Sequence, residues 1–65
     1  MGIKISMAAA RLNAGLTQKE LASVCEVSES TVVNWEKGKT PPKLKHLPLL
    51  EKAYGMSLDY VRIPY

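Results

Sequence analysis

The side chains able to do chemistry in this sequence stand apart from one another. His46 is the only histidine and Cys25 the only cysteine. No paired carboxylates accompany His46 at the spacing that metal ligation or general acid-base work demands. Metal and cofactor chemistry therefore lack a ligand set, and His46 is expected at the surface. Ser28, Ser30 and Thr31 offer hydroxyls, but no base or oxyanion-stabilising group goes with them, so capping or phosphate contact accounts for them better than nucleophilic attack. An enzyme's constellation is missing. What the sequence does concentrate is positive charge. Nine Lys+Arg against six Asp+Glu give a formal net charge of +3, and Lys37, Lys39, Lys43 and Lys45 cluster with no acid between Glu36 and Glu51. Such a patch favours a polyanionic partner.

The elements that must position these groups are small. A chain of 65 residues makes one domain at most, here read as residues 1–65, and buries roughly 60% of the surface its unfolded form exposes. With 46% hydrophobic and 23% charged residues it lies away from the compositions that stay disordered. A lone cysteine excludes an intrachain disulfide and suits a reducing compartment. The segment Met1 to Ser6 lacks the apolar core of a signal peptide, and no apolar run approaches the ~20 residues of a membrane span. The expectation is a cytoplasmic protein with no membrane partner.

Helical spacing and turn residues divide the chain into short helices. Ile5, Ala8, Ala9 and Leu12 recur at helical spacing, so a first helix is expected over about 6–13, with Gly15 past its end. Thr17-Gln18-Lys19-Glu20 is a capping box opening a second helix over 17–25, which carries Leu21, Ala22 and Cys25 on one side. Ser28 reads as the next N-cap, so only about three residues join this helix to a third over 28–37, ending at Gly38. At roughly 100° per residue, Thr31, Val32, Trp35 and Glu36 share one face of that helix. Glu29, Ser30, Val33, Asn34 and Lys37 share the other, which is the candidate reading face, whereas Trp35 belongs to the core. Beyond Thr40-Pro41-Pro42, the spacing of Leu44, Leu47, Leu50 and Tyr54 predicts a fourth helix over 43–54. Pro48 lies within it, so the helix either kinks there or begins there. Ser57 caps a last helix over 57–62, containing Leu58, Asp59, Tyr60 and Val61, before Pro64. This amounts to an all-α architecture of five helices with no strand.

Three blocks in this order resemble one family. They are Gly15-Leu16-Thr17-Gln18-Lys19-Glu20-Leu21-Ala22, then Val27-Ser28 with Val32-Val33-Asn34-Trp35-Glu36-Lys37-Gly38-Lys39, and finally Tyr54-Gly55-Met56-Ser57-Leu58-Asp59-Tyr60. They resemble the helix-turn-helix domains of phage repressor and Cro type, the xenobiotic-response-element class, over roughly Ala9 to Val61. The resemblance implies a compact lambda-repressor-like fold whose helix-turn-helix is formed by the second and third helices. It also implies a sequence-specific DNA-binding regulator, most simply a repressor, with double-stranded operator DNA as partner, in a bacterial cytoplasm or a phage-infected host.

The resemblance further assigns roles. Gln18 would contact a phosphate or brace the first base-contacting residue, and the start of the third helix, Ser28, Glu29 and Ser30, would meet the DNA, with Arg11 and Glu36 as a structural ion pair. Base contacts then fall to Glu29, Ser30, Val33 and Asn34, where Asn34 suits adenine, Val33 a thymine methyl and Glu29 cytosine N4. Glu29 could equally serve by stabilising the helix N-terminus. Phosphate contacts fall to Gln18, Ser28, Lys37, Lys39 and Lys43, beside Lys45. Two positions depart from the family pattern. Glu26 replaces the frequent turn glycine, where a left-handed backbone costs more than for Gly. Glu29 replaces the frequent Gln, so the operator sequence does not carry over. One copy reads few bases, so a homodimer is expected at least on DNA, with the apolar stretch Leu58, Tyr60, Val61, Ile63 and Tyr65 as its candidate surface. The rival reading is a protein-interaction module of the same fold, an antitoxin or antirepressor with a protein partner, because Glu29 repels phosphate.

Overall fold

A computed structural model describes residues 3–64. Local side-chain chemistry sets the helix starts. Helix α1, Met7–Asn13, is capped by Ser6, whose Oγ accepts the Ala9 N–H at 3.0 Å. Helix α2, Gln18–Cys25, opens with the capping box: Thr17 Oγ1 accepts the Glu20 N–H at 3.0 Å, and Glu20 Oε1 accepts the Thr17 N–H at 2.9 Å. Both donors would otherwise lack partners within the helix. Helix α3, Glu29–Lys37, is capped by Ser28 and ends at Gly38, whose φ of 76° is the left-handed conformation that glycine adopts without a Cβ clash.

Past the proline pair, residues Leu44–His46 form one 3-10 turn that leads into helix α4, Leu47–Tyr54. Of the two expectations for Pro48, the helix beginning there is the one found: Pro48 sits in the first turn, where its missing N–H costs nothing. Leu44 lies outside α4 and is 80% exposed, so the helix is shorter at its start than 43–54.

The fifth helix is the main departure from expectation. Leu58–Tyr60 makes only a 3-10 turn capped by Ser57, and the chain then becomes extended. Strand β2, Val61–Arg62, pairs in parallel with β1, Ile5–Ser6, in the register Ile5↔Val61 and Ser6↔Arg62. The fold is otherwise helical as expected, but this two-residue pairing, which joins distant ends of the chain, replaces the expected absence of strands. Val and Ile favour such extended positions.

The core gathers Met7, Ala10, Leu21, Ala22, Cys25, Val32, Trp35, Leu50, Tyr54 and Val61. The core departs from the apolar spacing of α1 and from one expectation. Helix α1 buries Met7 and Ala10 rather than Ala9 and Leu12, and Leu12 is 66% exposed. Three consecutive alanines give the spacing no preferred face, and the long Met7 side chain takes the interior. Val61 was expected on a dimer surface but is 1% exposed, because strand pairing turns it inward.

Candidate nucleic-acid interface

The connection from α2 to α3 is short because Glu26 turns it in one step. Its φ of 58° and ψ of 43° are left-handed, the single positive φ outside glycine among the described residues. The Glu26 N–H reaches the Ser23 carbonyl at 3.2 Å and the Val27 N–H the Ala22 carbonyl at 3.0 Å, which satisfies the end of α2. Ser28 then starts α3 at once.

This turn presents α3 with two distinct faces. Val32 and Trp35 are buried, Glu29, Ser30 and Lys37 are exposed, and Val33 and Asn34 are half-buried between them. At the helix start, Ser28 Oγ accepts the Thr31 N–H at 3.3 Å and shares hydrogen bonds with Ser30 Oγ at 3.1 Å and Thr31 Oγ1 at 2.9 Å. Ser28 thus links the other two hydroxyls through its own.

Glu36 organises the back of this face. Its carboxylate accepts from Arg11 Nε at 2.8 Å and from a terminal guanidinium nitrogen at 3.3 Å, while Gln18 Nε2 donates to it at 3.0 Å. Arg11 also donates to the Leu16 carbonyl at 3.0 Å. The Arg11 and Glu36 side chains are 12% and 6% exposed. Removing either would strand a poorly hydrated charge, at a cost of about 3–5 kcal/mol. One cluster therefore ties α1, the start of α2 and α3 together. It orients Gln18, whose amide oxygen makes no hydrogen bond among the described residues.

Lys37, Lys39, Lys43 and Lys45 are all exposed, and none is in an ion pair among the described residues. The segment bearing them is anchored by a residue that the sequence suggested was superficial. His46 is 8% exposed, with its ring 5.1 Å from that of Trp35. Its Nδ1 accepts the Lys43 N–H at 3.2 Å, so the neutral imidazole carries its proton on Nε2. Burial first, then the charges of Lys45 and Lys43, lower its pKa from the ordinary 6.5. The spacing from Lys43 to His46 matches that from Thr17 to Glu20, a signal that could have identified this cap.

The remaining predicted residues lie elsewhere. Tyr60 is 57% exposed and Leu58 and Ile63 are half-buried, while Tyr65 falls outside the described residues. Cys25 is a buried free thiol whose pKa burial pushes up. Among the described residues, no group of three His, Cys, Asp or Glu is placed to hold a metal ion, and no helix is long and apolar enough to cross a membrane.

Two helices at a tight turn, the second with an exposed polar face flanked by unpaired lysines, define the class of helical DNA-binding domains. Over residues 7–61 the sequence matches the helix-turn-helix family of Cro/C1 type, and the chain belongs to that family, which makes it a DNA-binding domain of the transcription-regulating kind. Comparison with curated proteins and with solved structures gives no match.

Proposed function

We propose that the chain is a sequence-specific transcriptional regulator, most simply a repressor, which inserts α3 into the major groove. The observation that carries this reading is the outer face of α3. Glu29 and Ser30 are exposed and Val33 and Asn34 half-buried on the side of the helix turned away from the buried Val32 and Trp35, and they offer acceptors, donors and one aliphatic group suited to base edges. Lys37, Lys39 and Lys43 follow it and supply phosphate contacts, with Gln18, held by Glu36, at the start of α2. Ser28 is committed to capping α3, so its phosphate contact would run through the hydroxyl cluster. Two copies on half-sites about one helical turn (~34–36 Å) apart would read enough sequence for selectivity. Leu58, Tyr60 and Ile63 remain as their contact surface once Val61 is assigned to the core.

The test is fluorescence anisotropy of the chain with short duplexes from the region upstream of its own gene, over a series of salt concentrations. A subset should bind far more tightly than random duplex, with log affinity falling linearly with log salt. Asn34→Ala should cost about 1–3 kcal/mol on that subset and relax its base preference. Equal, weak binding to every duplex would reject operator reading and favour the protein-partner function that the negative charge of Glu29 suggests.

A further inference from the structure

The basic surface continues beyond the lysines, onto the strand that the sequence did not announce. Successive side chains of a strand point to opposite faces. Val61 takes the inward position, so Arg62 is turned outward and is exposed. The register Ser6↔Arg62 fixes its backbone against the start of α1. This places Arg62 by the C-terminal end of α3, where it lines one shallow cleft together with Lys37, Gly38 and Glu36. Glu36 is the acid of that cleft, but its carboxylate is held by Arg11 and Gln18. The one ion pair among the described residues is that of Arg11 with Glu36. Lys37 and Arg62 therefore bring two uncompensated cations to one concave site at the end of the reading face.

We infer that Arg62 is a phosphate-contacting residue of the DNA interface, acting beside Lys37. The inference rests on the DNA-reading function proposed above. A backbone strand that passes the end of α3 and meets Lys37 also meets the cleft, where the planar guanidinium of Arg62 can give two parallel hydrogen bonds to one phosphate. Such a contact carries no base information. It strengthens binding to every sequence alike, and it makes the β1–β2 pairing part of the interface.

The experiment compares wild type, Arg62→Gln, Arg62→Met and Arg62→Lys by anisotropy, on the tightest upstream duplex and on a random duplex, over a salt series. Thermal midpoints report that the fold is intact, and the Met variant keeps the aliphatic stem should Gln disturb the strand. Loss of the charge should weaken binding to both duplexes by a similar factor, about 3- to 10-fold per bound copy at moderate salt, and reduce the slope of log affinity against log salt by about 0.9 per bound copy. Arg62→Lys should retain most of the slope. Wild-type affinity and slope in the folded Gln and Met variants would overturn the inference, as would a loss confined to the upstream duplex, which would make Arg62 a base reader. Absence of salt-dependent duplex binding by the wild type would instead reject the DNA reading itself, and this inference with it.

Discussion

Tyr54 shows how a single residue can keep an unfavourable group inside a small core. The residue is 4% exposed within α4, and its hydroxyl makes no hydrogen bond among the described residues. Burial, reinforced by the negative charge of Glu36, raises its pKa, so the hydroxyl stays neutral but its polarity goes uncompensated. Tyr54→Phe is expected to stabilise the domain by about 1 kcal/mol, seen as a rise of about 4–8 °C in the thermal midpoint. A fall would show that the hydroxyl has a partner worth keeping. The apolar character of position 54 is readable from the spacing of Leu47, Leu50 and Tyr54. The fate of its hydroxyl is not, because that depends on which atoms of α2 and α3 surround it.

At the scale of elements, the junction of α2 and α3 concentrates the strain. Glu26 holds a left-handed backbone that costs an ordinary residue about 1–2 kcal/mol, against which glycine's extra freedom in the unfolded chain weighs roughly 0.5–1 kcal/mol. Glu26→Gly should therefore stabilise by about 0.5–1 kcal/mol, measured as a shift in the urea midpoint at constant slope. Destabilisation would mean that the Glu26 side chain makes a contact that outweighs the strain. The junction was legible in advance because its determinants are local: the capping box at Thr17, the cap at Ser28 and the stop at Gly38 lie within a few residues of the backbone groups they satisfy. The buried face of α1 was not, since Ala8, Ala9 and Ala10 are interchangeable by type and only the position of the other helices selects Ala10.

Across the molecule, pH should reveal how the lysine-bearing segment is fastened to the core. His46 has its pKa lowered from 6.5, mainly by burial, and must be neutral at Nδ1 to accept the Lys43 N–H. Its stabilising contribution is thus complete above pH 6.5 and declines as pH falls below that toward the lowered folded value. Glu20, whose pKa hydrogen bonds from the Thr17 backbone and then its side chain lower from 4.5, contributes in full above pH 4.5 and is lost in more acidic solution. Denaturant midpoints should fall in two stages on acidification, and His46→Gln should abolish the first stage while leaving the second. A rise in stability between pH 6.5 and 5 would show that His46 is better accommodated when charged, and would refute the buried neutral cap.

By itself the sequence determined the helix boundaries of α2 and α3, the turn between them, the polar face of α3 and the lysine patch, because each depends on residues a few positions apart. Family membership followed from the same blocks. Only the tertiary structure decided that His46 is a buried cap, that Val61 belongs to the core and that Arg62 lines the same cleft as Lys37. Each of these depends on the pairing of β1 with β2 or on the seating of the 3-10 turn over Trp35. Those are encounters between segments far apart in the chain, and no local pattern of residue types specifies which distant surface will cover a given side chain.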